Sequence, residues 1–85
     1  MKDKIDKRDI ESLISKLKPL IEKVDLKGEK AKEMFENMKA YLEDSKYFMK
    51  TGDLVRSFEA IVWAWSIFEL CENLKIFKIK KETNP

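Results

Sequence analysis

Few side chains in this 85-residue chain are of a type and spacing to do chemistry. Histidine is absent, which removes the commonest general base and metal ligand. The one cysteine, Cys71, can form neither an intrachain disulfide nor a multi-thiolate metal site, and a lone thiol fits a reducing compartment. Two carboxylate pairs, Glu33-x-x-Glu36 and Glu69-x-x-Glu72, have the i,i+3 spacing with which helices can hold Mg²⁺. Glu33 and Glu36 nevertheless fall on the polar side of their helix. Glu72 alone lies on an apolar line, near the bundle end, within reach of Lys27 or Lys30. These pairs imply no metal and no cofactor, and no residue has a claim to catalysis. The expectation is a protein that is not an enzyme.

The remaining candidates are surfaces. Arg56 can pair with a partner carboxylate or hold phosphate through two parallel bonds. Its plainer reading, which we favour, is a surface salt bridge to Glu59 or Asp44, worth under about 1 kcal/mol. Tyr41, Tyr47, Phe48 and Phe58 have rings on which bases can stack, but aromatics at helical spacing inside an apolar stripe read as core. Lys75, Lys78, Lys80 and Lys81 make a short basic tail that suits solvent or, weakly, an acidic partner. Four lysines give a salt-sensitive contact at best, so nucleic acid is not an expected partner.

Composition sets the frame for these sites. Hydrophobic residues are 44% and charged residues 40% of the chain, which is neither a membrane protein nor a disordered tail. Two glycines and two prolines are too few turn residues for a many-stranded β fold. The net charge of +2 is no polyelectrolyte binder's. The longest uncharged run in the most apolar segment, Ala60 to Phe68, is nine residues, whereas a membrane span needs about 20. Residues 1–8 carry no apolar leader, so no secretory signal is read and a cytoplasmic protein is expected.

Three helices must position these residues. Ile10, Leu13, Ile14, Leu17, Leu20, Ile21 and Val24 hold one face of a helix expected over about 9–25. Pro19 interrupts it on the polar side, so the helix kinks or divides in two. Asp25 to Gly28 reads as a loop. A second series, Ala31, Met34, Phe35, Met38, Tyr41, Leu42, Ser45, Phe48 and Met49, fills one face of a helix over about 29–50. Gly52 caps its end, and Asp53 caps the start of the next helix. So short a connection turns that helix back antiparallel.

The third helix, over about 53–75, has 14 apolar residues among the 22 from Asp53 to Leu74. They form two stripes. Leu54, Phe58, Ile61, Trp65 and Phe68 make one; Ala60, Trp63, Ile67, Leu70 and Leu74 make the other, at heptad-like steps. Ser57, Ala64 and Cys71 join them along one side, and Glu59, Ser66 and Asn73 mark a narrow strip for water. A helix apolar nearly all round is a buried one. Beyond it, Ile76 or Phe77 is expected to fold back as a hydrophobic cap, with the last four or five residues frayed.

The run from Tyr41 to Trp65, with its Tyr-Phe, Gly-Asp and Arg-Ser-Phe-Glu-Ala elements, resembles the core motif of an archaeal family known as domain of unknown function 357. The resemblance is clearest over residues 41–77. It implies a small three-helix bundle, an archaeal cytoplasmic setting and no established activity. The same elements are similar to nucleotide- and RNA-associated helical domains of the HEPN type. Nucleases of that type use an arginine, four spacers and a histidine. Here Arg56 is followed at the fifth position by Ile61, and the chain has no histidine, so the nuclease reading fails.

The expectation is therefore an all-α, up-down-up three-helix bundle with its third helix most buried. It acts as an interaction or oligomerisation module, a homodimer or the binder of another protein, through Arg56, Ala60, Trp63, Ile67, Leu70 and Leu74. Two placements of that second stripe stay open: a partner surface, or a face covered within the monomer by the other helices and the tail.

Overall fold

A computed structural model describes residues 5–80. Asp6 starts the first helix by accepting a hydrogen bond from the Arg8 backbone N–H at 2.9 Å. The helix, α1, runs Lys7–Glu22 and buries Ile10 and Leu17 completely. Pro19 lies inside it on the exposed side, where the carbonyl that loses its helical partner can bond water. The helix stops three residues before the expected 25. Val24–Asp25 is instead a short strand, β1, paired antiparallel with a second, β2, at Lys78–Ile79. Val24 faces Ile79, Asp25 faces Lys78, and the Lys80 N–H donates to the Lys23 carbonyl at 2.8 Å. A β-branched residue suits this extended backbone, and the pairing buries Val24 as a continued helix would have done.

The second helix, α2, runs Glu29–Thr51, and the third, α3, runs Leu54–Asn73. Between them Gly52 sits at φ +86°. Its N–H donates to the Met49 carbonyl and that of Asp53 to Phe48, which closes the helix end. Asp53 then accepts from the Arg56 N–H at 3.1 Å and starts α3. Two residues thus stop one helix and start the next, and α3 packs along α2.

What lets the two helices approach is a row of small residues on α3, Ser57, Ala60, Ala64 and Cys71, set against Ala31, Met38, Leu42 and Ser45 of α2, all buried. Near the turn the seam is locked by a reciprocal pair. Ser45 Oγ donates to the Ser57 carbonyl at 2.8 Å, and Ser57 Oγ donates to the Ser45 carbonyl at 2.7 Å. Both hydroxyls are fully buried and fully satisfied, so neither carries the cost of an unpaired polar group.

The other side of α3 meets α1. Trp65 Nε1 donates to the Leu13 carbonyl at 2.9 Å, tying the helices at mid-length. The architecture is an up-down-up three-helix bundle with α3 in the centre and most buried, plus the two-residue strand pair.

After Asn73 the chain makes a tight reversal. Lys75 takes φ +62°, and the Ile76 and Phe77 N–H groups both donate to the Cys71 carbonyl, at 2.8 and 3.0 Å. Phe77 folds back into the core, edge-on to Phe35 and tilted against Phe68. A left-handed conformation at a residue with a Cβ is costly, and glycine is the usual occupant of this position. Lys75→Gly is expected to raise stability by about 0.5–1 kcal/mol, since glycine's extra freedom in the unfolded chain offsets part of the relief. Thermal unfolding followed by circular dichroism would show a melting temperature a few degrees higher; a lower one would mean that the Lys75 side chain itself stabilises the turn. The expected fraying of the final residues falls on 81–85, outside the described residues.

Candidate protein-interaction surface

Residues two apart on a helix point about 200° apart, so Trp63 and Trp65 cannot share a fate. Trp65 is half-buried between α3 and α1. Trp63 is 58% exposed, on the flank of α3 that adjoins α2. There its indole stacks on Tyr41 of α2, with ring centroids 6.1 Å apart and planes within 22°. Leu70 and Leu74 continue the line at 53% and 61% exposed, and Ile67 is half-buried among them. Asn37, Ala40, Tyr41 and Asp44 of α2 and Trp63 and Ile67 of α3 line a shallow groove of about 480 Å³.

The second apolar stripe is therefore not covered within the described residues. Lys78–Ile79 of the tail pair with β1 rather than lying over Trp63. One member differs from the rest. Ala60 is buried at 6% exposure, in the α2–α3 seam rather than on the outer face. Its angular position lies toward α2, and its small side chain allows the close approach there. Arg56, at the first turn of α3, is exposed; its Nε lies 3.6 Å from Asp53 and its guanidinium over the Phe48 ring at 5.8 Å. Its acidic partner is thus Asp53 of its own helix turn, not Glu59 or Asp44.

Tyr41 is the contributor that the sequence conceals. It sits at the edge of the apolar arc of α2, where periodicity alone assigns it to the core, yet it is 37% exposed. The signal was its position at the margin of that arc. Tyr47 is also exposed, edge-on to Phe48.

The other candidates do not converge on a site. Lys75, Lys78 and Lys80 are exposed, with Lys78 across the strand pair from Asp25; Lys81 lies outside the described residues. Glu33 pairs with Lys30 at 3.8 Å, and among the described residues no three acidic or thiol groups gather as a cation site would require. A second groove, of about 370 Å³, lies between α1 and α3, lined by Leu13, Lys16, Val62, Trp65, Ser66 and Glu69. No helix among the described residues is long and apolar enough to cross a membrane.

Cys71 is fully buried, and burial pushes its thiol above the usual range, with the charge of Lys30 opposing this weakly. Folding therefore favours the protonated form. That contribution is complete below the unfolded thiol's pKa and is lost as pH rises through the folded one. Native protein at pH 8 is expected to react with an aromatic disulfide reagent about 100-fold or more slowly than urea-unfolded protein. Comparable rates would place the thiol in contact with solvent.

Comparison with known proteins addresses the fold and the family together. A crystal structure of protein AF1782 from Archaeoglobus fulgidus, described as DUF357, superposes with a TM-score of 0.78. It shares 27% identity, covering 86% of this chain and 91% of that one. No curated protein matches. A family model described as a protein of unknown function (DUF357) matches residues 7–77, nearly all of the described chain, and the chain accordingly belongs to the DUF357 family.

Proposed function

We propose that this protein is a non-enzymatic protein-interaction module of the cytoplasm, and that its partner is a second copy of itself. The observation that carries the reading is the open flank of α3, on which Trp63, Leu70 and Leu74 are each more than half exposed in one line beside Tyr41. A tryptophan and two leucines held in water on rigid helices cost solubility unless something covers them. Tryptophan and tyrosine are also the side chains that most often dominate binding energy at interfaces.

The size of the face suits a small dimer. The 20 residues of α3 span about 30 Å, and two adjacent helices make a face about 20 Å wide. That is close to the area of about 800 Å² per partner buried in a standard interface. A chain of 85 residues also buries a smaller share of its surface on folding than a larger domain, so association adds core that it lacks.

Light scattering behind size exclusion, over a hundredfold range of protein concentration, tests the proposal. The expected mass is near twice 10.1 kDa at the upper concentrations. A mass of 10.1 kDa throughout would overturn it. Nucleotide or RNA association is the rival reading, and salt-dependent binding to mixed RNA would favour it.

A further inference from the structure

Resting on that self-association, we infer that the two copies pair antiparallel about a two-fold axis that passes between their Asn37 side chains, with Lys30 of each copy meeting Asp44 of the other. The residues of the open face have a symmetry that a self-interface needs. On α3, Arg56 and Leu74, and Trp63 and Ile67, are two pairs with one shared midpoint, position 65, and Leu70 pairs about the same midpoint with Ala60, which lies in the seam behind the face. On α2, Lys30, Asn37 and Asp44 recur every seven residues and so lie on one side of the helix, all three exposed. Their midpoint is Asn37.

The two midpoints lie at the same height in the bundle. The reciprocal Ser45–Ser57 bonds set the level of α2 against α3, and counting eight residues back along α2 and eight forward along α3 from that pair brings position 37 beside position 65. Asn37 and Asp44 also share the groove with Trp63 and Ile67, so the charged line and the apolar line belong to one face. An isologous two-fold interface requires that if one residue meets another, the second meets the first. One axis, lying in the interface and crossing both helices at this level, satisfies that condition for α2 and α3 together.

Each pairing is then chemically matched. Trp63 of one copy faces Ile67 of the other. Leu70 falls over the hollow left by the small, buried Ala60. Arg56, whose charge is met by its own Asp53, presents its stem and the Phe48 ring toward Leu74. Lys30 and Asp44 meet twice with opposite charge. Asn37, an amide that both donates and accepts, meets its own copy on the axis, where a single polar pair fixes register.

The test is a charge-reversal cycle read as the dimer dissociation constant. Lys30→Glu and Asp44→Lys are exposed substitutions, and retained helical circular dichroism shows that each variant folds. Each alone is expected to weaken the dimer about tenfold or more, because like charges then face each other, and the double variant to return close to the wild-type value. In parallel, Asn37→Cys in a Cys71→Ser background is expected to link copies with a short bismaleimide, while Glu36→Cys in the same background does not. A dimer whose double variant is no tighter than the singles, or which links through Glu36→Cys and not through Asn37→Cys, would overturn this register and leave self-association standing. A monomer at every concentration would overturn both.

Discussion

Alanine at position 68 is expected to lower the melting temperature by about 15 °C or more and to free the C-terminal strand before the helices separate. Phe68 is buried where the three packing systems of the molecule join. It lies edge-on to Trp65, which is bonded to α1, and beside Phe77, which holds the tail. Emptying a phenylalanine site in a core costs about 3–5 kcal/mol, and the edge contacts are lost with it. The whole stability expected of a domain this size is only about 4–13 kcal/mol. Few neighbours can relax into the space, since Ile61, Ala64 and Cys71 are already fully enclosed. Denaturation by heat and by urea would measure the loss, and hydrogen exchange at Lys78 and Lys80 would report the strand. A change below about 5 °C would contradict the central place given to Phe68. Val62→Ala, on the exposed side of the same helix, is the matched control and is expected to change stability by less than about 0.5 kcal/mol.

Glutamate in place of Trp63 is expected to separate the proposed dimer while leaving the bundle folded. A buried tryptophan at the centre of an interface is commonly worth about 2–4 kcal/mol, which is about 30- to 1000-fold in dissociation constant. A charge in its place adds desolvation to the loss. Within the monomer, by contrast, Trp63 is more than half in water, and its removal forfeits only the stack on Tyr41, about 0.5–1.5 kcal/mol. Light scattering should then give a monomer at concentrations where the wild type is dimeric, with unchanged helical content. A dimer of unaltered affinity would remove this face from the interface. Trp65→Glu makes the contrast, because Trp65 is half-buried and bonded to α1: it should unfold the chain instead. Two tryptophans two residues apart are thus expected to fail in different ways, one in assembly and one in folding.

The difference between those two residues shows what each level of description contains. Period and punctuation determine the helices. Apolar residues every three or four positions, Asp53 ahead of one helix and Gly52 behind another are read directly, because these signals act through backbone bonds within a few residues of themselves; the Asp6 cap of α1 came only with the structure. The return of Phe77 to the core is legible for the same reason, since the end of a helix exposes carbonyls that the next few residues can cap. So is the presence of two apolar stripes on α3, which follows from residue angles alone.

Which stripe is covered is decided only by tertiary structure. Both stripes satisfy the same periodicity, and coverage depends on where other helices lie. The small seam of Ser57, Ala60, Ala64 and Cys71 draws α2 onto one side, and the Trp65 bond draws α1 onto another. Trp63, Leu70 and Leu74 remain outside both, and Tyr41 is carried from an apparent core position to their edge. The strand at Val24–Asp25 likewise depends on a segment more than fifty residues away, Lys78–Ile79, which local propensity cannot see. Short-range bonding makes the elements of this protein; the relative placement of three helices, set by side-chain size and two long-range hydrogen-bonded contacts, makes its exposed face.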